Sequence, residues 1–156
     1  HRKTPAFSHL FTDFQKYHDE QYFHMVSPIA YEACKHINFK IDLVIKARSF
    51  LQLPLSEHFR SKDVDALHVD QPFPHLVVLY YIVDSDGDTI LVDHKRTDAV
   101  DFNLEAKDFK ELIRITPKKG RCVIFNGDNY HTAEQPIYNP RAIINFNLLG
   151  NFIQNV

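Results

Sequence analysis

Glycine is scarce: there are four in 156 residues, at Gly87, Gly120, Gly127 and Gly150, and none before residue 87. Residues so few and so far apart cannot build a G-x-x-x-x-G-K-[ST] phosphate loop or a G-x-G-x-x-G dinucleotide turn. Cysteine is scarcer still, with only Cys34 and Cys122. That excludes a disulfide framework and a thiolate zinc site. Both thiols are expected to be buried and inert, Cys34 on an apolar helix face and Cys122 inside a strand. No apolar run approaches the roughly 18 residues that span a membrane, and no signal peptide is visible. The first residue is His1 rather than Met, so any native leader would lie upstream. A soluble protein of a reducing compartment, the cytoplasm, is the expectation. An excess of one charge is lacking too: 18 Lys+Arg against 20 Asp+Glu gives −2. Nucleic-acid modules usually carry a marked basic excess, which disfavours that class.

What is present is ordinary globular composition, 44% hydrophobic and 24% charged. The length suits a single domain, residues 1–156. Because glycine supplies tight turns, its confinement to the second half predicts strands there and helix in the first half. Phe7, Leu10, Phe11 and Phe14 recur at helical spacing, which predicts a short helix within residues 5–26. Ser27-Pro28 reads as a helix start, with a helix from Pro28 to Asn38. Residues 1–42 are therefore expected to be helical support. Residues 43–48 alternate as a strand, and 53–63 read as loop. Further strands are expected at 75–83, 89–92, 111–116, 121–125 and 141–149, separated by turns at 84–88, 117–120 and 126–127. Residues 93–108 are charged and irregular. Short strands after helical material suggest a sandwich or barrel with helices packed outside.

There is no H-E-x-x-H and no G-x-S-x-G elbow. Asp84-Ser85-Asp86-Gly87-Asp88 lacks the glycine and acidic positions of a calcium loop and reads as an acidic hairpin turn. Ten histidines do invite a metal. In His68-Val69-Asp70, residues i and i+2 of an extended segment point to one side, so imidazole and carboxylate project together. Alone the motif is weak, and His18-Asp19-Glu20 is a second instance, assigned to a helix surface. More weight comes from residues farther along the chain: a buried strand ending in Tyr80-Tyr81, an acidic turn, Thr89, then Tyr130-His131, and Arg141 opening the last strand. Two His and one carboxylate form the facial set that holds non-haem Fe(II) with open positions.

In these stretches the sequence resembles the Fe(II)- and 2-oxoglutarate (2OG)-dependent oxygenases, in their prolyl-4-hydroxylase-like branch. The stretches are HVD at 68–70, LYYIVDSDGDT at 79–89, PKKGRCVIFNGDNYH at 117–131 and PRAIINF at 140–146. Small viral and bacterial members look especially similar, so a viral source would place the chain in a host cytoplasm. The resemblance implies a mainly β chain with N-terminal helices, built on a double-stranded β-helix (a jelly-roll, cupin-like barrel) over residues 43–150. It implies His68, Asp70 and His131 as iron ligands. It implies Arg141 as the cation for the distal carboxylate of 2OG, a role that suits a planar, permanently charged guanidinium. Tyr81, rather than Tyr80, matches a tyrosine that hydrogen-bonds that carboxylate. Where many members carry Ser or Thr two residues after the arginine, this chain has Ile143. Asn145 and Asn147 share the strand face of Arg141, so either is a candidate for the missing contact.

The implied activity couples decarboxylation of 2OG by O₂ to hydroxylation of a C–H bond, on a peptidyl or free amino-acid side chain. Two competing readings are a nucleic-acid demethylase on the same scaffold and a cupin-like metal- or sugar-binding module. His75 and His94 are expected to be satisfied or surface histidines. Residues 53–63 and 93–108 are candidate lids or plain surface loops.

Overall fold

In a computed structural model the described residues are 6–56, 58, 64–98 and 108–154. They form β1 (Ala6–Asp13), β2 (Lys16–Tyr17), α1 (Glu20–His36), β3 (Phe39–Gln52), β4 (Leu76–Tyr81) and β5 (Thr89–Lys95). Then come β6 (Glu111–Ile115), β7 (Cys122–Asn126), β8 (Asn129–Ala133) and β9 (Arg141–Phe152). The strands make a larger antiparallel sheet in the order β2-β1-β3-β9-β4-β7 and a smaller one in the order β6-β5-β8. Bridges Val64↔Glu134 and His68↔His131 lay residues 64–68 along the other edge of β8.

The period-two rule explains the layers. On β9, Ile144, Phe146 and Leu148 turn outward into a core shared with Phe23, Ala30 and Cys34 of α1. Phe146 and Leu148 are fully buried, and each such side chain contributes about 1.5–3 kcal/mol. Ile143 turns the other way. With Leu79 and Tyr81 it meets Leu91 and Ile115 of the small sheet. The molecule is thus helix, large sheet and small sheet, with the inter-sheet space holding the second core. This is the mainly β, double-stranded β-helix architecture, with one N-terminal helix instead of several. Among the described residues, no helix is long and apolar enough to cross a membrane.

Residues 6–17, expected to be helical, are two strands. The i, i+3, i+4, i+7 spacing of Phe7, Leu10, Phe11 and Phe14 does not mark one face. Phe11 is buried, whereas Phe7 and Phe14 are exposed. A bulge between Leu10 and Thr12 breaks the strand alternation and mimics helical periodicity. The helix also starts earlier than Ser27-Pro28. Asp19 caps it by accepting from Tyr22 N at 3.3 Å, so the second H-x-E site is a cap rather than a helix surface. Pro28 lies inside the helix on its exposed side. β3 runs well beyond 43–48, because bulges at 41–43 and 44–46 interrupt its alternation. β8 lies outside every expected strand; its composition is polar and its pairing with β5 supplies the order. Cys34 is buried as expected, but Cys122 is exposed, on an edge strand. The candidate lids at 53–63 and 93–108 fall largely on residues 57, 59–63 and 99–107, outside the described residues.

Candidate metal centre

The antiparallel bridge is what brings two distant histidines together. His68 N donates to His131 O at 3.1 Å, and His131 N donates to His68 O at 3.0 Å. Their rings lie 4.5 Å apart. Asp70, two residues on, puts Oδ1 3.9 Å from His68 Nε2 and Oδ2 4.0 Å from His131 Nε2. One ligand atom from each residue falls within 4.8 Å of the others, close enough to share one ion. Among the described residues this is the group with that geometry.

The surroundings prepare these atoms as ligands. His68 Nδ1 sits 3.0 Å from Ala66 O, and His131 Nδ1 3.3 Å from Asn129 O. A proton on each Nδ1 satisfies those carbonyls and leaves both Nε2 lone pairs for a metal. Burial first, then neighbouring His68, pushes the His131 imidazole down to about 4, so it is neutral near pH 7. Burial opposes the charge on Asp70, whose side chain is 1% exposed. His131, Arg48, His68 and the Asn145 hydrogen bond outweigh that burial and hold the carboxyl well below the usual range. Two imidazoles and one ionised carboxylate are the donor set that suits Fe(II).

These three residues line a cavity of about 370 Å³ whose walls also include Arg141, Thr89, Asn145 and Ile143. The strand register orders the inner face into rungs. Gln52 pairs with Arg141, Phe50 with Ile143, Arg48 with Asn145, and Lys46 with Asn147. On the other side of β9, Tyr81 pairs with Ile143 and Leu79 with Asn145. Arg141 therefore lies two rungs from the level of Asp70, about 13 Å along the strand. Phe50, Ile143, Leu79 and Phe125 make an apolar belt between them.

Arg141 is 2% exposed. Its Nε donates to Gly87 O at 3.0 Å, Nη1 to Gln52 Oε1 at 3.0 Å and Nη2 to Thr89 Oγ1 at 2.7 Å. Gly87 is glycine for a steric reason: a Cβ there would meet Glu134 O at 2.8 Å and Arg141 Cδ at 3.2 Å. Tyr81 is fully buried, and its hydroxyl donates to Thr89 Oγ1 at 2.7 Å. Burial pushes the Tyr81 phenol up. Tyr80, its neighbour, packs on the opposite, helix-covered face. Asn145 lines the cavity, but its amide donates to Asp70 Oδ2 at 3.0 Å. Asn147 donates to the same oxygen at 2.9 Å.

Three participants escape a reading of the sequence. Thr89 is visible in the D-G-D-T turn, but nothing local says that its hydroxyl joins Tyr81 to Arg141. Gln52 lies beyond the expected end of β3. Arg48 donates from Nη2 to Asp70 Oδ1 at 2.8 Å. Alternation over 43–48 puts it on the face opposite Ala47, but nothing local names Asp70 as its partner. His75 is buried with Nδ1 2.9 Å from Phe73 O, and His94 packs between Phe109 and Tyr130.

The sequence matches no protein-family model and no curated protein. Solved structures do match. An oxidoreductase of the 2OG-Fe(II) oxygenase family from Burkholderia pseudomallei is similar over 92% of this chain and 65% of its own, with TM-score 0.58 and 10% identity. A Pseudomonas putida prolyl-4-hydroxylase is similar over 95% of this chain and 70% of its own, with TM-score 0.54 and 12% identity. A Trichoplax adhaerens prolyl hydroxylase, solved with a hypoxia inducible factor oxygen degradation domain peptide fragment, is similar over 95% and 64%, with TM-score 0.54 and 15% identity. The chain spans less than two thirds of the Burkholderia and Trichoplax structures. At such identities the likeness establishes the fold. The chain has the double-stranded β-helix fold of the 2OG-Fe(II) oxygenases, prolyl-4-hydroxylases among them, and holds a His-x-Asp…His triad in its cavity.

Proposed function

We propose that this chain is a 2OG-dependent non-haem iron dioxygenase that hydroxylates a C–H bond, on a peptidyl or free amino-acid side chain. The observation that carries the reading is the shared cavity: a His-Asp-His group at one level, with the Asp70 and His131 side chains buried and His68 partly open, and a buried arginine two rungs away. His68, Asp70 and His131 would hold Fe(II), which supplies O₂ activation as 2OG is oxidised to succinate and CO₂ and the substrate C–H becomes C–OH. Arg141 would hold the distal carboxylate of 2OG, and its contacts with Gly87, Gln52 and Thr89 fix the guanidinium before any ligand arrives. Thr89 and Tyr81 set the orientation of that cation. The belt of Phe50, Ile143, Leu79 and Phe125 excludes water from the space between cation and metal ligands. Neutral His131 and ionised Asp70 are already in their ligating forms near pH 7, so no proton need leave them when metal binds.

Two of the similar structures are prolyl hydroxylases, one of them solved with a peptide. That supports a peptidyl substrate over a nucleic acid, as does the net charge of −2. The test is an anaerobic titration of the metal-free protein with Fe(II) and then 2OG, tracking the visible charge-transfer band of the chelate. The band should appear, vanish in His68→Ala and weaken in Arg141→Ala. Iron binding without a band would replace the oxygenase reading with that of a metal-binding module.

A further inference from the structure

Arg48 stands inside the metal centre. It projects from β3 opposite Asn145, its guanidinium lies over the Phe50 ring at 4.6 Å, and its Nη2 holds Asp70 Oδ1. Its Nε is buried and finds no acceptor among the described residues. Its hydrogen bond and its charge both go to that one carboxylate.

The Asp70 carboxylate is nearly saturated. Oδ2 accepts from Asn145 and Asn147, and Oδ1 accepts from Arg48. A carboxylate offers about four lone-pair positions, two on each oxygen. The position left over belongs to Oδ1, the oxygen nearer His68 Nε2. Resting on the metal reading above, we propose that Arg48 is a counter-ion built into the centre. It neutralises Asp70 in the metal-free protein and holds divalent-metal affinity down, while the amides of Asn145 and Asn147 occupy Oδ2 and leave Oδ1 as the ligating oxygen.

Charge sets the sign of the test. A dication entering beside a fixed guanidinium is repelled, so removing the cation strengthens metal binding even though a carboxylate contact is lost. Mn(II) is the probe, with binding to the whole chain measured by electron paramagnetic resonance. Arg48→Gln should bind Mn(II) about tenfold more tightly than the wild type, equivalent to roughly 1.4 kcal/mol. Asn145→Ala removes a neutral donor from the same carboxylate and should not tighten binding. Arg48→Lys keeps the charge and should restore wild-type affinity to within about threefold. Unchanged or weaker binding by a folded Arg48→Gln, with wild type binding normally, overturns the proposal alone. Absence of binding in both, and in His68→Ala, overturns the metal reading and the proposal together. Should Arg48→Gln fail to fold, Arg48→Met takes its place as the charge-removing variant: binding about tenfold tighter than wild type upholds the idea, and unchanged or weaker binding sinks it.

Discussion

Thr89 Oγ1 accepts a hydrogen bond from Arg141 Nη2 at 2.7 Å, between the first residue of β5 and the first residue of β9. The same oxygen accepts from Tyr81. With both acceptor positions used, the hydroxyl proton is left to donate to an occupant of the cavity that Thr89 lines. The chain therefore has a hydroxyl beside its buried arginine although position 143 is isoleucine.

Thr89→Val should lower stability by about 2–4 kcal/mol, because two buried donors lose their acceptor at once. It should also weaken the 2OG chelate band, and Thr89→Ser should recover most of both. Ile143→Thr, in contrast, should not strengthen the band. A stronger band in that variant would show that position 143, rather than Thr89, is where the hydroxyl is needed. Denaturant unfolding and the anaerobic titration read the two effects separately.

Stability of the metal-free protein should fall as pH drops from about 6.5 to 4. Burial, then His68, pushes His131 down to about 4 in the folded chain, against roughly 6.5 when unfolded. Between those values the unfolded chain binds the extra proton, so acid favours unfolding. The loss should approach about 3 kcal/mol over that window. Urea midpoints measured across the range should show the slope in wild type and a flatter line in His131→Gln. Asp70, held low by its partners against burial, adds a further loss only as pH falls below about 4.

Asp86 ties the turn before β5 to the loop before Arg141. Its carboxylate accepts from Ile137 N at 2.8 Å, Tyr138 N at 3.0 Å and Asn139 N at 2.9 Å. Partial burial works against its charge, but these backbone donors hold the carboxyl below its usual range. Asp86→Ala should cost about 2 kcal/mol and lower the Tm by roughly 4–8 °C in a calorimetric scan. Wild-type stability in that variant would mean that the loop is held by other contacts.

The β1–β2 hairpin turns on Phe14 (φ 45°) and Gln15 (φ 64°), between the paired residues Asp13 and Lys16. Two positive φ values match the two-residue turn that prefers Asn-Gly. Gln15→Gly should therefore stabilise the protein by about 0.5–1 kcal/mol, visible as a Tm rise of roughly 1–4 °C. A lowered Tm would mean that the Gln15 side chain makes a contribution larger than its backbone strain.

Residue order alone went far wherever a property is local. The apolar run of β4, the glycine turns, and the strands β6, β7 and β9 follow from side-chain type and spacing. H-x-D in an extended segment puts its imidazole and carboxylate on one side whatever the rest of the chain does. The resemblance that pairs His68 and Asp70 with His131 and Arg141 likewise rests on linear stretches. Elsewhere, packing prevailed. Three bulges in β1 and β3 interrupt the alternation of those strands, and β1 mimicked a helix. Polar β8 owes its extended form to pairing with β5 rather than to its composition. The Arg48–Asp70 pair, the amides of Asn145 and Asn147 on the same carboxylate, and Thr89 between Tyr81 and Arg141 join residues from separate strands. Such contacts depend on which strands are neighbours and in what register. Register comes from the summed burial of two cores, a property that no short window of sequence contains.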